Sequence, residues 1–271
     1  MEIIRVFPRR TAYTPRDSMS FVGDPPLFRP NAEEVHISVA FTWDIAAAER
    51  LQLAWAQYYP KVLLGGPAVG SPDGPFLAGK YVREGVTFTT RGCNWKCPWC
   101  LVPQREGLLQ VRPIVPGYII QDNNFLQAPQ DHQQRVFDML DQQPRAAIFA
   151  GGIQSVMVTD WFADQLRTHR THSIFMAADT KTALRPLAKA VDRLSFLGRK
   201  KIRSYVLIGF RGESHSEAKD RLEAVWEIGA MPFAQLYQPP DEYIDYGRDW
   251  KSLARKWSRP AAMMATHNHD H

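Results

Sequence analysis

Three cysteines, Cys93, Cys97 and Cys100, are the only ones in the chain, and all fall within Thr90-Arg-Gly-Cys-Asn-Trp-Lys-Cys-Pro-Trp-Cys-Leu-Val-Pro103. The spacing C-x3-C-x2-C supplies three sulfur ligands where a structural tetrahedral site takes four, so a metal held here keeps a position for something other than cysteine. The preceding run, Val86-Thr-Phe-Thr-Thr90, is β-branched and aromatic, which predicts a strand, and Gly92 supplies the turn out of it. The thiols therefore lie on a loop past a strand's carboxyl end, where α/β folds place their active sites.

This arrangement resembles the radical S-adenosylmethionine superfamily, whose members carry C-x3-C-x-aromatic-C after the first barrel strand; Trp99 fills the aromatic position. The resemblance implies that the three thiolates bind three irons of one 4Fe-4S cluster. The fourth iron would chelate the amino and carboxylate groups of S-adenosyl-L-methionine. An external one-electron reductant, of flavodoxin or ferredoxin type, would then drive release of a 5'-deoxyadenosyl radical. The residues alone leave other readings open. A structural zinc site wants a fourth Cys or His at knuckle spacing, and the next histidine downstream is His132. An electron-transfer ferredoxin usually brings four cysteines per cluster, and a disulfide framework fits poorly with an odd count in a long chain.

With 271 residues, 45% apolar and 23% charged, the chain has material for one large α/β domain or a medium one with a small partner. No apolar run is long enough to span a bilayer. The start, Met1-Glu-Ile-Ile-Arg-Val, lacks the basic patch and extended apolar region of a secretory signal, and the clustered thiols want a reducing compartment, so a cytoplasmic location is expected. The formal charge is +5; residues 1–82 carry eight Lys/Arg and eight Asp/Glu, so the surplus lies wholly downstream, which permits an anionic partner.

Residues 1–82 read as a small α/β region. Ile3 to Phe7 and Val35 to Phe41 are strand-like, Asp44 is a candidate N-cap, and Ile45, Ala48, Leu51, Leu53, Ala54 and Ala56 form a helical apolar set. Lys61 to Gly66 reads as a buried parallel strand. This resembles a shortened, degenerate version of the cobalamin-binding Rossmann-like domain found ahead of many radical S-adenosylmethionine barrels. The D-x-H-x-x-G signature for the axial ligand is absent, and His36 sits inside a predicted strand, where a sheet-face role is expected.

From residue 83 to 240 strand and helix alternate. Strands are predicted at Val86 to Thr90, Tyr118 to Gln121, Ala146 to Ala150, Ile174 to Ala178, Ser204 to Ile208 and Phe233 to Leu236, with no clear helix between the first two. Helices are predicted at Asp131 to Asp141, Thr159 to Thr168, Thr182 to Leu197 and up to Ile228, with Asp179-Thr180 as a cap. Six such units match the partial (βα)6 TIM-like barrel that the resemblance implies. Residues 241–271 read as a closing helix and a frayed, flexible tail. The alternating histidines of Thr266-His-Asn-His-Asp-His271 fit adventitious nickel or zinc binding.

In a parallel barrel, side chains just past each strand converge on one rim. Asp122, Asn123 and Asn124 occupy the place where relatives bind the cosubstrate's ammonium, although an Asx-rich turn also explains them. Gly151 and Gly152 allow close backbone approach to a ligand, or merely turn the chain. Asp179 follows strand four and is expected among the cofactor-binding residues of the rim. Gly209 and Glu213 resemble the family's G-x-I-x-G-x-x-x-E region along the adenine and methionyl moieties, although a glycine turn and a helix-initiating Glu213 account for the same letters. Arg91, Lys96, Arg105, Arg112 and Arg211 flank the thiol loop or follow strands, whereas Arg199, Lys200, Lys201 and Arg203 precede strand five and read as a solvated turn on the far end. Trp95, Trp99, Phe125, Phe210 and Tyr237 are placed on the rim, with Trp99 flanking the adenine. They can stack a nucleobase or exclude water.

The cysteine count prunes the chemistry. Methylthiotransferases need three further cysteines, and peptide modifiers with auxiliary clusters need more, so single-cluster hydrogen abstraction followed by rearrangement, cleavage or oxidation is expected. A nucleotide or nucleic-acid base is the first substrate expected. A tRNA-modifying relative and a non-enzymatic, metal-stabilised nucleic-acid-binding module are the alternatives.

Overall fold

The computed structural model describes residues 2–70 and 76–267. The chain forms two compact units, Met1–Val86 with Pro239–Tyr243, and Thr87–Gln238 with Ile244–His271.

The first unit is a parallel sheet with one covering helix. Strands β1 (Ile3–Phe7), β2 (Ser20–Val22), β3 (Glu34–Ser38) and β4 (Val62–Gly65) lie in the order β2-β1-β3-β4, and helix α1 (Ile45–Ala56) joins β3 to β4. Ile4, Val6, Val35 and Ile37 alternate onto the face that meets Ala48, Leu51 and Trp55. Those three recur at i, i+3 and i+7, so they define the buried stripe; Leu53, expected in the helical set, is 74% exposed. The Asp44 carboxylate does not cap α1; it accepts from Arg9 Nε at 3.0 Å. β3 stops at Ser38, and Phe41 stacks on Trp43 at 4.7 Å outside the strand. His36 bonds through Nε2 to Glu34 at 2.8 Å and through Nδ1 to the Tyr81 hydroxyl, so both ring nitrogens are engaged within the unit.

The second unit holds a six-stranded parallel sheet built from β5 (Val86–Thr87), β8 (Ile119–Ile120), β9 (Ala147–Phe149), β10 (Thr171–Ala177), β11 (Ile202–Ile208) and β12 (Met231–Leu236). These strands lie side by side in strict chain order, from β5 at one edge to β12 at the other. A separate antiparallel pair, β6 (Thr90–Arg91) with β7 (Gln110–Val111), interrupts the run between β5 and β8 and encloses the short helix α2 (Val102–Arg105). Helices α3 (Gln130–Asp141), α4 (Asp160–Thr168), α5 (Leu184–Arg193) and α6 (His215–Glu227) fill the strand connections. They contribute Val136, Phe137, Leu140, Phe162, Leu187 and Leu222 to one core with Ile120, Phe149, Ile174, Met176, Val206 and Ile208 of the sheet.

The ends of the helices follow their sequences. Thr159 caps α4 by accepting from Phe162 N at 3.2 Å, and Ser214 with Glu217 forms a capping box on α6. Asp179 does not cap the helix after β10; its carboxylate turns back to accept from Leu207 N at 2.8 Å. The stretch 182–197 is α5 flanked by single 3-10 turns rather than one helix. Past residue 241 there are two helices, α7 (Arg248–Lys256) and α8 (Pro260–His267), and Leu253, Trp257 and Met263 are buried in the core of the second unit. His267 stacks on Trp226 at 4.5 Å, so the expected frayed end is ordered helix at least to that residue; Asn268 to His271 of the histidine-rich tail lie outside the described residues. Among the described residues, no helix is long and apolar enough to cross a membrane.

Candidate functional site around the thiol loop

The loop that carries the cysteines leaves β5 and returns along β7, so the β6–β7 pair is its stem. Gly92, at φ +80°, turns the chain out of β6, and a Cβ there would lie 2.2 Å from Leu108 O, which only glycine accommodates. Side chains then secure the loop. Glu106 pairs with Arg91 and accepts from Gly92 N at 3.0 Å and from Asn123 Nδ2 at 2.5 Å. Asn94 N donates to Gln127 Oε1 at 2.8 Å, while Asn94 Oδ1 accepts from Leu109 N at 3.0 Å. Gln127 Nε2 also lies 3.6 Å from Cys93 Sγ, a weak contact to the thiol. Glu106 and Gln127 escape a reading of the sequence because their partners are 14 to 34 residues distant and no local pattern marks them.

All three thiols are free and partly exposed. Burial first, and then the neighbouring cysteines and Asp179, push the Cys97 thiol above the ordinary thiol range. Burial also raises Cys100, opposed by a hydrogen bond from the Val102 backbone at the start of α2. Neighbouring sulfurs thus oppose ionisation of Cys97 and Cys100, and a positive group between them would reverse that penalty. Among the described residues, no three His, Cys, Asp or Glu side chains are gathered as a single metal ion requires.

The residues past the other strands divide into those near this loop and those turned away from it. The indole of Trp99 hydrogen-bonds to the Asp179 carboxylate, and its ring meets Phe210 edge-on at 5.5 Å; Phe210 in turn meets Tyr237 at 4.9 Å. Residues past β5, β10, β11 and β12 therefore converge with the thiol loop. Asp179 is half-buried, and desolvation raises its pKa against the lowering effect of Leu207 N–H, Arg221 and Trp99.

Asp122 is buried beneath the loop stem. Its Oδ1 accepts from Thr89 N at 2.6 Å and its Oδ2 from Thr89 Oγ1 at 2.5 Å, so both oxygens are spent on the exit of the first strand. Asn123 is held by Glu106. Asn124 donates to Gln154 Oε1 at 3.0 Å and leaves its own Oδ1 buried with no partner. The close approaches that Gly151 and Gly152 permit are to neighbouring backbone: added Cβ atoms would lie 2.1 Å from Asp122 O and 2.6 Å from Asn123 O. Gly209, at φ +79°, likewise makes room for the Tyr246 ring, whose hydroxyl donates to Tyr237 O at 2.8 Å. Glu213 starts no helix. It pairs with the buried Arg221 and accepts from Gly209 N at 2.9 Å, a fold-holding role.

Phe125 is not on the rim: it is 1% exposed and packs on Phe149 at 5.3 Å and Phe137 at 6.2 Å. Trp95, at 45% exposure, stands in solvent. On the far end of the sheet, the run from Arg199 to Arg203 is not uniformly a solvated turn. Lys200 and Lys201 are exposed, whereas the Arg199 guanidinium lies 4.2 Å from the Trp226 ring centre and Arg203 lies 5.5 Å from that of Phe175.

No protein-family model matches the sequence, and no curated protein matches it either.

Proposed function

We propose that this chain is a radical S-adenosylmethionine enzyme whose second unit is a partial barrel and whose loop 92–109 holds one 4Fe-4S cluster through Cys93, Cys97 and Cys100. The observation that carries the reading is the position of three free thiols on one loop just past the first of six parallel strands laid in chain order. Crossovers between adjacent parallel strands are right-handed, so strict chain order puts every connecting helix on one face and favours a sheet curled towards the other. A tetrahedral zinc site brings its sulfurs within about 3.8 Å of one another, given Zn–S bonds of about 2.3 Å. A cluster meets each thiolate with a different iron, so its sulfurs stand farther apart than those around one ion.

When bound, such a cluster supplies the electron that cleaves S-adenosyl-L-methionine reductively. The chain's own residues would do the rest. Trp99, fixed by Asp179 and Phe210, presents an aromatic face beside the loop and limits water near it. The orphan acceptor Asn124 Oδ1 suits an ammonium group, whereas both Asp122 oxygens are spent on Thr89. Asp122, Gly151, Gly152 and Glu213 act on the scaffold rather than on a ligand.

Anaerobic reconstitution with iron and sulfide, followed by reduction and quantitation of 5'-deoxyadenosine, tests the reading. Cleavage in the wild type and its loss in Cys97→Ala is the expected result. A chain fully loaded with iron that cleaves no S-adenosyl-L-methionine would refute it, as would a protein that retains only zinc.

A further inference from the structure

The end of the sheet opposite the thiol loop carries a feature that the proposed chemistry does not use. The strands β9, β10 and β11 are neighbours, and their amino ends bring Arg145, Arg167, Arg170, Lys200 and Lys201 to one side, all exposed. The carboxylates that face this group are Asp164, paired with Arg167, and Asp141, bonded to His169. A cleft of about 450 Å³ opens among them, lined by Arg167, Arg170, Lys201 and Phe196.

Phe196 decides what the cleft fits. It is 41% exposed, on the 3-10 turn after α5, and the Arg167 guanidinium lies 4.4 Å from its ring centre. An exposed ring with the Arg167 guanidinium over it offers a stacking platform next to phosphate-binding charge. Arg170 and Lys201 are aimed rather than loose: Arg170 Nη2 donates to Gln143 O at 2.5 Å, and Lys201 Nζ donates to Thr171 O at 2.9 Å, which leaves each with further N–H donors. An acidic peptide has no planar base to place on Phe196, and a membrane surface has no need of a concavity.

We infer that this cleft binds single-stranded nucleic acid, its phosphates on Arg167, Arg170 and Lys201 and one base stacked on Phe196. The site lies at the strands' amino ends, away from the thiol loop, so it anchors a polynucleotide rather than performing chemistry on it.

Fluorescence anisotropy of a labelled oligouridine of about 12 nucleotides, titrated with the full-length protein across a salt series, tests this. Each phosphate contact on a single strand contributes roughly 0.7 to the log–log salt slope. Arg170→Gln with Lys201→Gln should therefore flatten the slope by about 1.4 and weaken binding about 25-fold at 0.1 M salt. Phe196→Ala should weaken it at every salt concentration while leaving the slope unchanged. Because Arg170 and Lys201 also bond to backbone, a second charge variant, Arg167→Gln, spares those bonds and should flatten the slope by about 0.7. Circular dichroism melting confirms that each variant is folded. Absence of binding in 50 mM salt, an unaltered slope in both charge variants, or equal competition by polyglutamate or by phosphatidylserine vesicles would overturn the inference. The readout needs no cofactor, so its failure is distinct from failure of the proposed reaction.

Discussion

Replacing Asp122 separates two roles that a buried carboxylate can play. Its side chain is 1% exposed, and its two oxygens hold the backbone N–H and the hydroxyl of Thr89, four residues before the first cysteine. Burial raises its pKa, opposed by the Thr89 hydrogen bonds. The neutral carboxyl is therefore favoured relative to the unfolded chain. Asparagine copies that neutral form, with Oδ1 accepting from Thr89 N and Nδ2 donating to Thr89 Oγ1. Asp122→Asn should stay within about 1 kcal/mol of wild type at neutral pH, whereas Asp122→Ala strands two buried groups at about 1–3 kcal/mol each. For a unit of this size, a loss of about 2–6 kcal/mol lowers the melting temperature by roughly 4–24 °C. The sign of the pH effect follows. A carboxyl whose folded pKa is raised contributes stability that grows as pH falls from the raised value towards the ordinary one near 3.8, and Asp122→Asn should remove that contribution. Thermal melts of the metal-free proteins over this acidic range measure both effects. If Asp122→Ala melts with the wild type, or Asp122→Asn falls as far as alanine, the assignment of Asp122 to the loop stem is wrong.

Three other outcomes are expected. Arg221→Met leaves the buried Glu213 without its cation and should cost about 3–5 kcal/mol in urea unfolding, most of it recovered by adding Glu213→Leu. Gly151→Ala drives a Cβ into the backbone of Gln121 and Asp122 and should cost at least about 2 kcal/mol, visible as a lowered urea midpoint, whereas a ligand-approach role alone would leave stability intact. In the metal-free protein, Cys97 and Cys100 should react slowly with iodoacetamide at neutral pH and faster only above the ordinary thiol pKa, as peptide mapping across pH would show.

The sheet was largely legible because the long strands, β10 and β11, are continuous apolar or alternating runs bounded by polar turns. β2 was not: Ser20-Phe-Val22 is three half-buried residues, too short for any periodicity to register. α2 is a single turn with a proline in its first turn, a signal indistinguishable from loop. The thiols themselves were visible from spacing, but the direction of each neighbouring polar side chain was not, since it depends on which element it meets. Asp122 and Asn124 are two residues apart on one turn, yet one is fully paired with Thr89 and the other keeps an orphan oxygen. Phe125, following an Asn-rich turn, resembles a rim residue in sequence; a 3-10 turn over Phe125–Gln127 swings it into the core among Phe137, Phe149 and Phe162. Glu213 looked ligand-facing because its partner, Arg221, lies eight residues on along the helix that follows.

The clasp formed by Glu106, Asn94 and Gln127 bears on how readily the loop accepts an occupant. Its ties run to backbone amides at Gly92, Asn94 and Leu109, so the segment acquires its shape when the chain folds. The entropic penalty of arranging the sulfurs is then met in advance, and a guest arriving there need only displace water and shed protons. Cutting one tie should accordingly slow and weaken capture while the rest of the molecule stays intact.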